Sequence, residues 1–278
     1  MPEKLDQLLT EQLNPASARI DQFSTLEMLQ VINAEDRLVA ESITPELPRI
    51  AQAVEAIVQA FRAGGRLFYI GAGTSGRLGV LDASECPPTF NVPPDLVQGI
   101  IAGGESALSR ATETTEDDPA IGVRDLQSRG FTKADILCGI AASGRTPYVL
   151  GAIDEANRLG AVTLGVSCTP DSELSRRARL AIAPTPGPEI LAGSTRLKAG
   201  TATKLVLNML TTGAFIRLGY ARGNLMVNVQ PKNAKLLDRS LRIIRTATGA
   251  SRERASSALK AAGNNVRVAI DLIEQSKA

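Results

Sequence analysis

Residues Arg66-Leu-Phe-Tyr-Ile-Gly-Ala-Gly-Thr-Ser-Gly-Arg77 join an apolar run directly to a segment rich in glycine and hydroxyl groups. The run from Arg66 to Ile70 predicts a buried β-strand, and Gly71 to Ser75 then form a strand-to-helix turn. Backbone N–H groups at the start of a helix face an approaching anion, and hydroxyl groups add further hydrogen bonds. This stretch therefore predicts an α/β fold with a turn that binds phosphate.

An ordinary strand–helix connection is the simpler explanation of these glycines, because tight turns favour glycine. The stretch lacks the Gly-Lys-Ser/Thr of a P-loop, and it is not a complete GxGxxG dinucleotide fingerprint. A second sequence favours a ligand, since Tyr69 to Arg77 is echoed by Cys138-Gly-Ile-Ala-Ala-Ser-Gly-Arg-Thr146. Carboxyl ends of parallel strands line one crevice, so we expect both turns to meet one phosphate or phosphosugar.

The segments on both sides of this stretch alternate between strand and helix patterns. Predicted strands are Arg66–Ile70, Leu96–Ile101, Ile136–Ala141, Val162–Ser167 and Leu180–Ala183. Predicted helices begin near Gly76 and cover 107–112, 147–159 and a long apolar run from Leu197 to just before Gly219. Such alternation predicts a doubly wound, largely parallel sheet in a three-layer α/β/α fold.

The two ends of the chain read as helical. Ser24-Thr-Leu-Glu27 has the pattern of a capping box that opens a helix with an apolar face, and Gly64-Gly65 ends the next helix. The face of the first helix comprises Leu26, Leu29 and Ile32, and that of the second Ile50, Val54, Ile57, Val58 and Phe61. We expect residues 1–63 to pack on a phosphosugar-binding domain of residues 64–223. Residues 233–278 form a small helical subdomain, with Ser251 and either Asn264 or Asn265 as helix caps.

Composition indicates a globular protein of the cytoplasm. The chain has 278 residues, 44% hydrophobic content and no apolar run near the roughly 20 residues of a membrane span. Its beginning lacks the basic and apolar regions of a signal peptide. A formal net charge of +2 and 3% aromatic residues argue against nucleic acid as a partner.

Few types of side chain in this sequence can act in catalysis or bind a metal. Cys86, Cys138 and Cys168 are an odd, scattered set without CxxC spacing, which favours reduced thiols over disulfides or a zinc site. The sequence contains 0 histidines, so an acid or base near neutral pH must come from another residue type. Carboxyl groups are the first candidates.

Two acidic positions stand near the predicted turns. Glu85 precedes Cys86-Pro87-Pro88, where we expect the prolines to end the helix and fix the direction of the chain. A solvated glutamate at a helix end is the plainer interpretation of Glu85. In the second stretch, Glu113 lies at helical spacing from Glu116, and Glu116-Asp117-Asp118 crowds like charges, which tends to raise a carboxyl pKa.

Three cations are candidates for neutralising the phosphate. Arg77 and Arg145 follow the two Ser-Gly pairs, although either is equally consistent with a solvated side chain at a helix start. Lys198 lies in a glycine-containing segment that precedes the long apolar helix. Its segment either adds a charge to the anion crevice or only caps that helix through Ser194 or Thr195.

Several long motifs together resemble the N-acetylmuramic acid 6-phosphate etherase family. They are Gly71–Phe90, Ile101-Ala-Gly-Gly-Glu105, 113–117, Gly139–Tyr148 and Lys198-Ala-Gly-Thr201, and the similarity covers nearly the whole chain. The resemblance implies a sugar isomerase (SIS) domain and a carbon–oxygen lyase that converts N-acetylmuramic acid 6-phosphate into N-acetylglucosamine 6-phosphate and D-lactate. It also implies cell-wall amino-sugar recycling, a homodimer, and no metal or organic cofactor.

The resemblance assigns roles to individual residues. Glu85 is the acid that protonates departing lactate, and Glu116 is the base that removes the C2 proton. The 6-phosphate is held by the hydroxyls of Thr74, Ser75, Ser143 and Thr146 and by the N–H groups of Gly76 and Gly144. Two alternatives are a phosphosugar aldose–ketose isomerase, which needs no leaving-group acid, and a non-catalytic phosphosugar-binding regulator.

Overall fold

A computed structural model describes residues 11–110, 115–231 and 234–276 of the chain. The chain forms two compact units. The first comprises the residues up to Ser84 together with Pro94–Thr211, and the second comprises Glu85–Pro93 together with the residues from Thr212 onward. The N-terminal helices therefore belong to the same unit as the sheet.

A parallel sheet forms the centre of the first unit. Within the described residues its strands are β1 (Leu67–Gly71), β2 (Val97–Ile101), β3 (Ile136–Ile140), β4 (Val162–Val166) and β5 (Leu180–Ile182). Their order is β2-β1-β3-β4-β5, and each neighbouring pair is parallel. All residues of β1 and β3 are buried, as expected for apolar runs covered on both faces. The predicted parallel α/β fold is confirmed.

Helices connect and flank these strands. They are α1 (Thr25–Ile43), α2 (Leu47–Arg62), α3 (Gly73–Phe90), α4 (Ser106–Ser109), α5 (Pro119–Ser128), α6 (Pro147–Arg158), α7 (Glu173–Arg177) and α8 (Lys198–Arg217). Short 3₁₀ turns lie at Pro15–Ser17, Ile20–Gln22 and Thr44–Glu46. Sequence reasoning did not foresee α5 or α7. Part of the predicted helix 107–112 falls in residues 111–114, outside the described residues.

The N-terminal helices follow the predicted signals at their ends. Ser24 and Glu27 form the reciprocal capping box of α1. Gly65 follows α2, and a Cβ there would stand 2.0 Å from the carbonyl oxygen of Ala134, so this position requires glycine. The predicted apolar face of α1 is not buried within the single chain, since Leu26 is 67% and Leu29 is 53% exposed.

Helix α3 continues through Pro87 and Pro88 and ends at Phe90. This corrects the prediction that the prolines end the helix. A proline removes one N–H from the helical ladder, but near the last turn the helix can still close with its remaining groups. Here the N–H of Asn91 donates to the carbonyl of Pro87 at 2.9 Å, and Asn91 adopts a left-handed φ of 52°. Glu85 therefore lies inside a helix rather than at its end.

The second unit is mainly helical. It contains the antiparallel pair β6 (Ala221–Arg222) and β7 (Leu225–Met226) and the helices α9 (Ala234–Thr248), α10 (Arg252–Ala261) and α11 (Val266–Gln275). Ser251 caps α10 and Asn265 caps α11, as predicted. A separate apolar cluster around Ile244, Leu259 and Ile270 fills this unit.

The limits of the compact units differ from the predicted domain limits at residues 63, 223 and 233. Helices α3 and α8 each cross a unit limit, so a change in sequence composition does not mark it. Among the described residues, no helix combines the length and apolar character of a membrane span.

Candidate active site

The two Ser-Gly-Arg turns leave neighbouring strands. Gly71 at the end of β1 pairs with Ile140 at the end of β3, and the two strands are parallel. The chain places β2 on one side of β1 and β3 on the other, which makes the β1–β3 junction a topological switch point. Open parallel sheets bind ligands in the crevice that opens at the carboxyl ends of the strands at this point. The predicted common edge for both turns is confirmed.

The first turn leads into α3 through a tight backbone crossing. Gly73 has a φ of +52°, which favours glycine, and α3 starts there rather than at Gly76. A Cβ on Gly76 would stand 2.6 Å from the carbonyl oxygen of Gly71, so that glycine permits close approach of helix and strand. Thr74 and Ser75 are half-buried in the first helical turn.

The N–H of Gly76 donates to the carbonyl of Ala72 at 3.2 Å. This N–H is therefore engaged within the chain, contrary to the predicted phosphate contact. The N–H groups of Gly73, Thr74 and Ser75 precede this first helical bond, and helix geometry leaves such groups directed away from the helix. They are better suited than Gly76 to meet an anion.

The second turn is built around Gly144. Gly144 has a φ of +67°, and a Cβ there would stand 2.2 Å from Oγ of Ser172. Its N–H donates to the carbonyl of Ala141 at 2.9 Å, and its carbonyl accepts from the N–H of Leu174. The predicted use of this N–H for phosphate is therefore not supported. The turn is tied instead to the segment that precedes α7.

Two hydroxyl residues flank Gly144. Ser143 Oγ accepts a long hydrogen bond of 3.4 Å from the N–H of Arg145. Thr146 occupies the N-cap position of α6, yet in the described part of the chain its side chain makes no capping bond. Both residues are half-buried, as is Arg145. Their placement at the end of β3 is compatible with the predicted contact to phosphate.

Glu116 is attached to the start of α6. Its carbonyl accepts a hydrogen bond of 3.0 Å from the N–H of Tyr148, two residues beyond Thr146. The side chain of Asp118 caps α5 by accepting from the N–H of Ala120 at 2.8 Å. The backbone of the half-buried Glu116 is thus bonded to the first turn of α6, which directly follows the second Ser-Gly-Arg turn. Glu113 lies outside the described residues.

Glu85 belongs to the second compact unit and is exposed. It lies on α3, about three helical turns after the first turn of that helix. The buried residues of this stretch are Gly79, Asp82, Ala83 and Cys86, so Glu85 lies on the other face of the helix. Its assignment as the acid stays a prediction.

Arg77 and Lys198 are both engaged with other parts of the chain. Arg77 donates to the carbonyls of Leu108 at 3.1 Å and Arg110 at 3.4 Å, so it supports the segment after β2. Lys198 is 1% exposed, and its ammonium group binds the Glu35 carboxylate at 2.6 Å. These contacts favour a structural role for both side chains over the predicted phosphate contact.

The start of α8 is already occupied by a carboxylate. Glu189 is 1% exposed and accepts hydrogen bonds from the N–H groups of Lys198 at 2.8 Å and Ala199 at 2.9 Å. A carboxylate at this position satisfies N–H groups that α8 would otherwise offer to a ligand anion. These contacts therefore favour helix capping over phosphate binding for this segment. The capping residue is Glu189, and not Ser194 or Thr195 as predicted.

Sequence reasoning missed a buried carboxyl group on α3, the helix that follows the β1 turn. Asp82 is 7% exposed and accepts hydrogen bonds from Tyr69, Asn208 and Thr211. Burial raises the pKa of Asp82 above its usual value, although the three hydrogen bonds act in the opposite direction. The spacing Gly79, Asp82, Ala83, Cys86 repeats at helical intervals and was the available signal that Asp82 faces the core.

Comparisons with known proteins identify the relatives of the chain. The family model of the glucokinase regulatory protein N-terminal SIS domain matches residues 49–157. An N-acetylmuramic acid 6-phosphate etherase from Clostridium botulinum strain Loch Maree is 55% identical over 272 residues, covering 98% of this chain and 90% of that protein. The enzyme of that name from Klebsiella aerogenes is 55% identical over 269 residues, with 97% and 90% coverage.

Solved structures with low identity share the fold. A phosphoheptose isomerase from Neisseria gonorrhoeae superposes with a TM-score of 0.53 at 16% identity, covering 68% of this chain and 98% of that one. A phosphoheptose isomerase from Francisella tularensis gives a TM-score of 0.51 at 18% identity, with 68% and 100% coverage. These likenesses agree with the five-stranded parallel sheet of the first unit.

Proposed function

The chain belongs to the N-acetylmuramic acid 6-phosphate etherase family, and we propose that it cleaves the D-lactyl ether of its substrate with Glu85 as acid and Glu116 as base. The products are N-acetylglucosamine 6-phosphate and D-lactate, so the enzyme is a carbon–oxygen lyase. The single observation that carries the activity is 55% identity to named etherases over 98% of the chain.

The reaction needs an acidic hydrogen next to the ether. In the ring-opened sugar, C2 lies beside the C1 aldehyde, which stabilises negative charge after loss of the C2 proton, and the lactyl oxygen is on C3. Glu116 takes the C2 proton, the C3–O bond breaks, and Glu85 protonates the departing lactate. Water then adds to C3 of the unsaturated aldehyde while a proton returns to C2, which restores the saturated sugar.

We propose that the 6-phosphate binds between the two turns at the β1–β3 junction. Hydroxyls of Thr74 and Ser75 come from the first turn, and those of Ser143 and Thr146 from the second. The N–H groups of the first turn of α3 supply further donors. Two observations support this proposal. The ends of β1 and β3 are adjacent, and among the described residues the Thr146 hydroxyl makes no hydrogen bond that caps α6. Binding energy at the phosphate is then available to orient C2 and C3.

Three finer proposals concern the setting of the enzyme. We propose a homodimer, which the exposed leucines of α1 support, because large apolar side chains in water favour association. We also propose a place in peptidoglycan amino-sugar recycling and a cytoplasmic location, where the phosphorylated substrate would be available. The absence of histidine from the sequence is consistent with carboxyl groups as acid and base.

Lactate release tests the activity directly. Purified protein is incubated with N-acetylmuramic acid 6-phosphate without added metal, and D-lactate is measured enzymatically. The matching family model is named after glucokinase regulatory protein, so the assay also has to test for a regulator. Phosphosugar binding without lactate release would favour that regulator, and aldose–ketose interconversion without release would favour an isomerase.

Solvent deuterium exchange at C2 separates the two glutamates. Glu85→Ala should abolish lactate release and leave C2 exchange, because the base is intact. Glu116→Ala should remove both activities, each by about 10²-fold to 10⁴-fold. Glu41→Ala, at an exposed glutamate of α1, is the matched control and should change neither. Equal loss of exchange and release in Glu85→Ala would contradict this division of roles.

A further inference from the structure

Helices α5 and α6 pack unusually closely at the residues that flank Glu116. A Cβ on Gly122 would stand 2.0 Å from the carbonyl oxygen of Tyr148, and a Cβ on Gly151 would stand 2.3 Å from the carbonyl oxygen of Pro119. The obstructing atoms belong to the backbone and cannot turn aside as a flexible side chain would. Each helix therefore contributes one glycine that lets the other helix approach.

These glycines are required for the close contact between the helices and not for an unusual backbone conformation. Neither Gly122 nor Gly151 is among the described glycines with positive φ. Both are buried inside helices, where glycine is less favourable than alanine. Close approach of the two helices offsets that cost and limits how far α5 can shift along or away from α6.

Tyr148 on α6 makes three contacts, one to Glu116 and two to α5. Its N–H donates to the carbonyl of Glu116 at 3.0 Å, its carbonyl lies against Gly122, and its phenol donates to Oδ2 of Asp125 at 2.7 Å. The side chain of Tyr148 is 0% exposed, so the phenol depends on Asp125 for its hydrogen bond. One residue thus connects to the Glu116 backbone and to the helix that follows it.

We propose that Tyr148 is a positioning residue for Glu116, and that Gly122 and Gly151 set the helix spacing on which this positioning depends. The inference rests on the proposed role of Glu116 as base. Glu116 and α5 are separated by two residues, so a displaced α5 carries Glu116 with it. A displacement of about 1 Å at a reacting group can reduce the rate by about 10²-fold.

The hydrogen bond between the Tyr148 phenol and the Asp125 carboxylate can be removed with little disturbance of the packing. Tyr148→Phe and Asp125→Ala each remove it, and we expect kcat for lactate release and the rate of C2 exchange to fall about tenfold, with KM within about twofold of wild type. Asp125→Asn keeps an oxygen that accepts from the phenol and should keep near-wild-type kcat. The double variant Tyr148→Phe/Asp125→Ala should be no slower than the slower single variant, because both remove one interaction.

Ile153→Val controls for lost stability. Ile153 lies on α6 but faces β3, where its side chain approaches Gly139. This variant should lower the midpoint of urea unfolding without changing the α5–α6 contact or kcat. Gly122→Ala is the severe variant, with an expected fall in kcat of about 10²-fold; circular dichroism checks that it folds.

The outcomes separate this inference from the proposed function. If Glu116→Ala retains C2 exchange, the assignment of the base fails. If Glu116→Ala lacks exchange while Tyr148→Phe and Asp125→Ala keep wild-type kcat, the positioning inference is overturned. It is also overturned if only KM rises, or if kcat in Ile153→Val falls as far as in Tyr148→Phe.

Discussion

The side-chain amide of Asn208 donates a hydrogen bond of 2.7 Å to the carboxyl group of Asp82 and thereby joins α8 to α3. The phenol of Tyr69 in β1 donates to the other oxygen of Asp82 at 2.9 Å, and Thr211 adds a bond of 3.3 Å. Asp82 thus connects α3, β1 and α8. The group is buried, so its donors have little access to water as an alternative partner.

Replacing Asp82 by alanine should destabilise the protein strongly. Asp82→Ala removes the acceptor of the Tyr69 phenol and the Asn208 amide, whereas Thr211 can still donate to the Leu207 carbonyl at 3.3 Å. Each buried group that loses its partner costs about 1–3 kcal/mol. We expect a loss of about 3 kcal/mol or more of unfolding free energy in urea denaturation. Asp21→Ala, at an exposed aspartate, should stay within about 0.5 kcal/mol of wild type. A similar small effect for Asp82→Ala would disprove a stabilising role.

The pH dependence of stability should reveal the raised pKa of Asp82. Burial favours the neutral carboxyl group, so its contribution is fully present below the unfolded pKa near 3.8 and is lost as the pH rises through the higher folded pKa. Relative to Asp82→Asn, wild type should therefore lose unfolding free energy across that window. Urea denaturation at half-unit pH steps measures the difference between the two proteins. A constant difference would contradict a raised pKa.

Asp135 should show the opposite dependence. Burial alone raises its pKa, but hydrogen bonds from Arg66 and from the N–H of Thr132 hold the pKa below the usual 3.8. Its contribution is present above the unfolded pKa and is lost as the pH falls through the folded value. Wild type should lose stability on acidification more steeply than Asp135→Asn below about pH 4. Parallel acid denaturation curves for the two proteins would refute this.

Lys198 offers a test between a structural role and a phosphate-binding role. Its ammonium group is buried against Glu35, and breaking such a pair by removing one partner costs about 3–5 kcal/mol. Glu35→Gln should lower the unfolding free energy, and Lys198→Met should do the same while leaving KM within about threefold of wild type. The double variant should recover part of the loss. A large rise in KM with normal stability would instead assign Lys198 to the phosphate.

Gly144 should matter for phosphate binding through the shape of its turn. A Cβ at Gly144 combines a φ of +67° with a 2.2 Å approach to Ser172, so Gly144→Ala must displace the turn. We expect KM to rise at least tenfold, measured by lactate release. Gly130→Ala is the matched control, since Gly130 has a φ of +62° but open space around it. Comparable KM values in both variants would show that the close contact is unimportant.

Sequence patterns were reliable where neighbouring residues decide the structure. The capping box at Ser24 and Glu27, the strand before Gly71 and the cap at Asn265 all formed as predicted. Predictions failed where contacts elsewhere in the structure outweighed a local preference. Pro87 and Pro88 disfavour helix, but α3 contains both near its last turn and closes through the Asn91 N–H.

Predictions for the site divide in the same way. The repeated Ser-Gly-Arg motif was enough to predict two similar turns, because turn chemistry is local. The partners of Lys198, Glu35 at 2.6 Å and Pro188 at 3.1 Å, were not predictable from Lys198's surroundings in sequence. Glu35 is 163 residues away along the chain. Composition likewise led to the prediction that carboxyl groups act as acid and base, which stays a prediction, but it did not indicate that Asp82 is buried in the core.

Sequence alone was sufficient to predict the alternation of strands and helices and the two Ser-Gly-Arg turns, because periodicity and turn chemistry are local properties. That the turns bind phosphate and that carboxyl groups act as acid and base stay predictions. Three features became visible only in the folded chain: β1 and β3 lie side by side, the Tyr148 N–H binds the Glu116 carbonyl, and Lys198 pairs with Glu35. Strand order and side-chain partners depend on contacts between residues far apart in the chain. Those contacts form only when the whole unit buries its apolar surface in one arrangement.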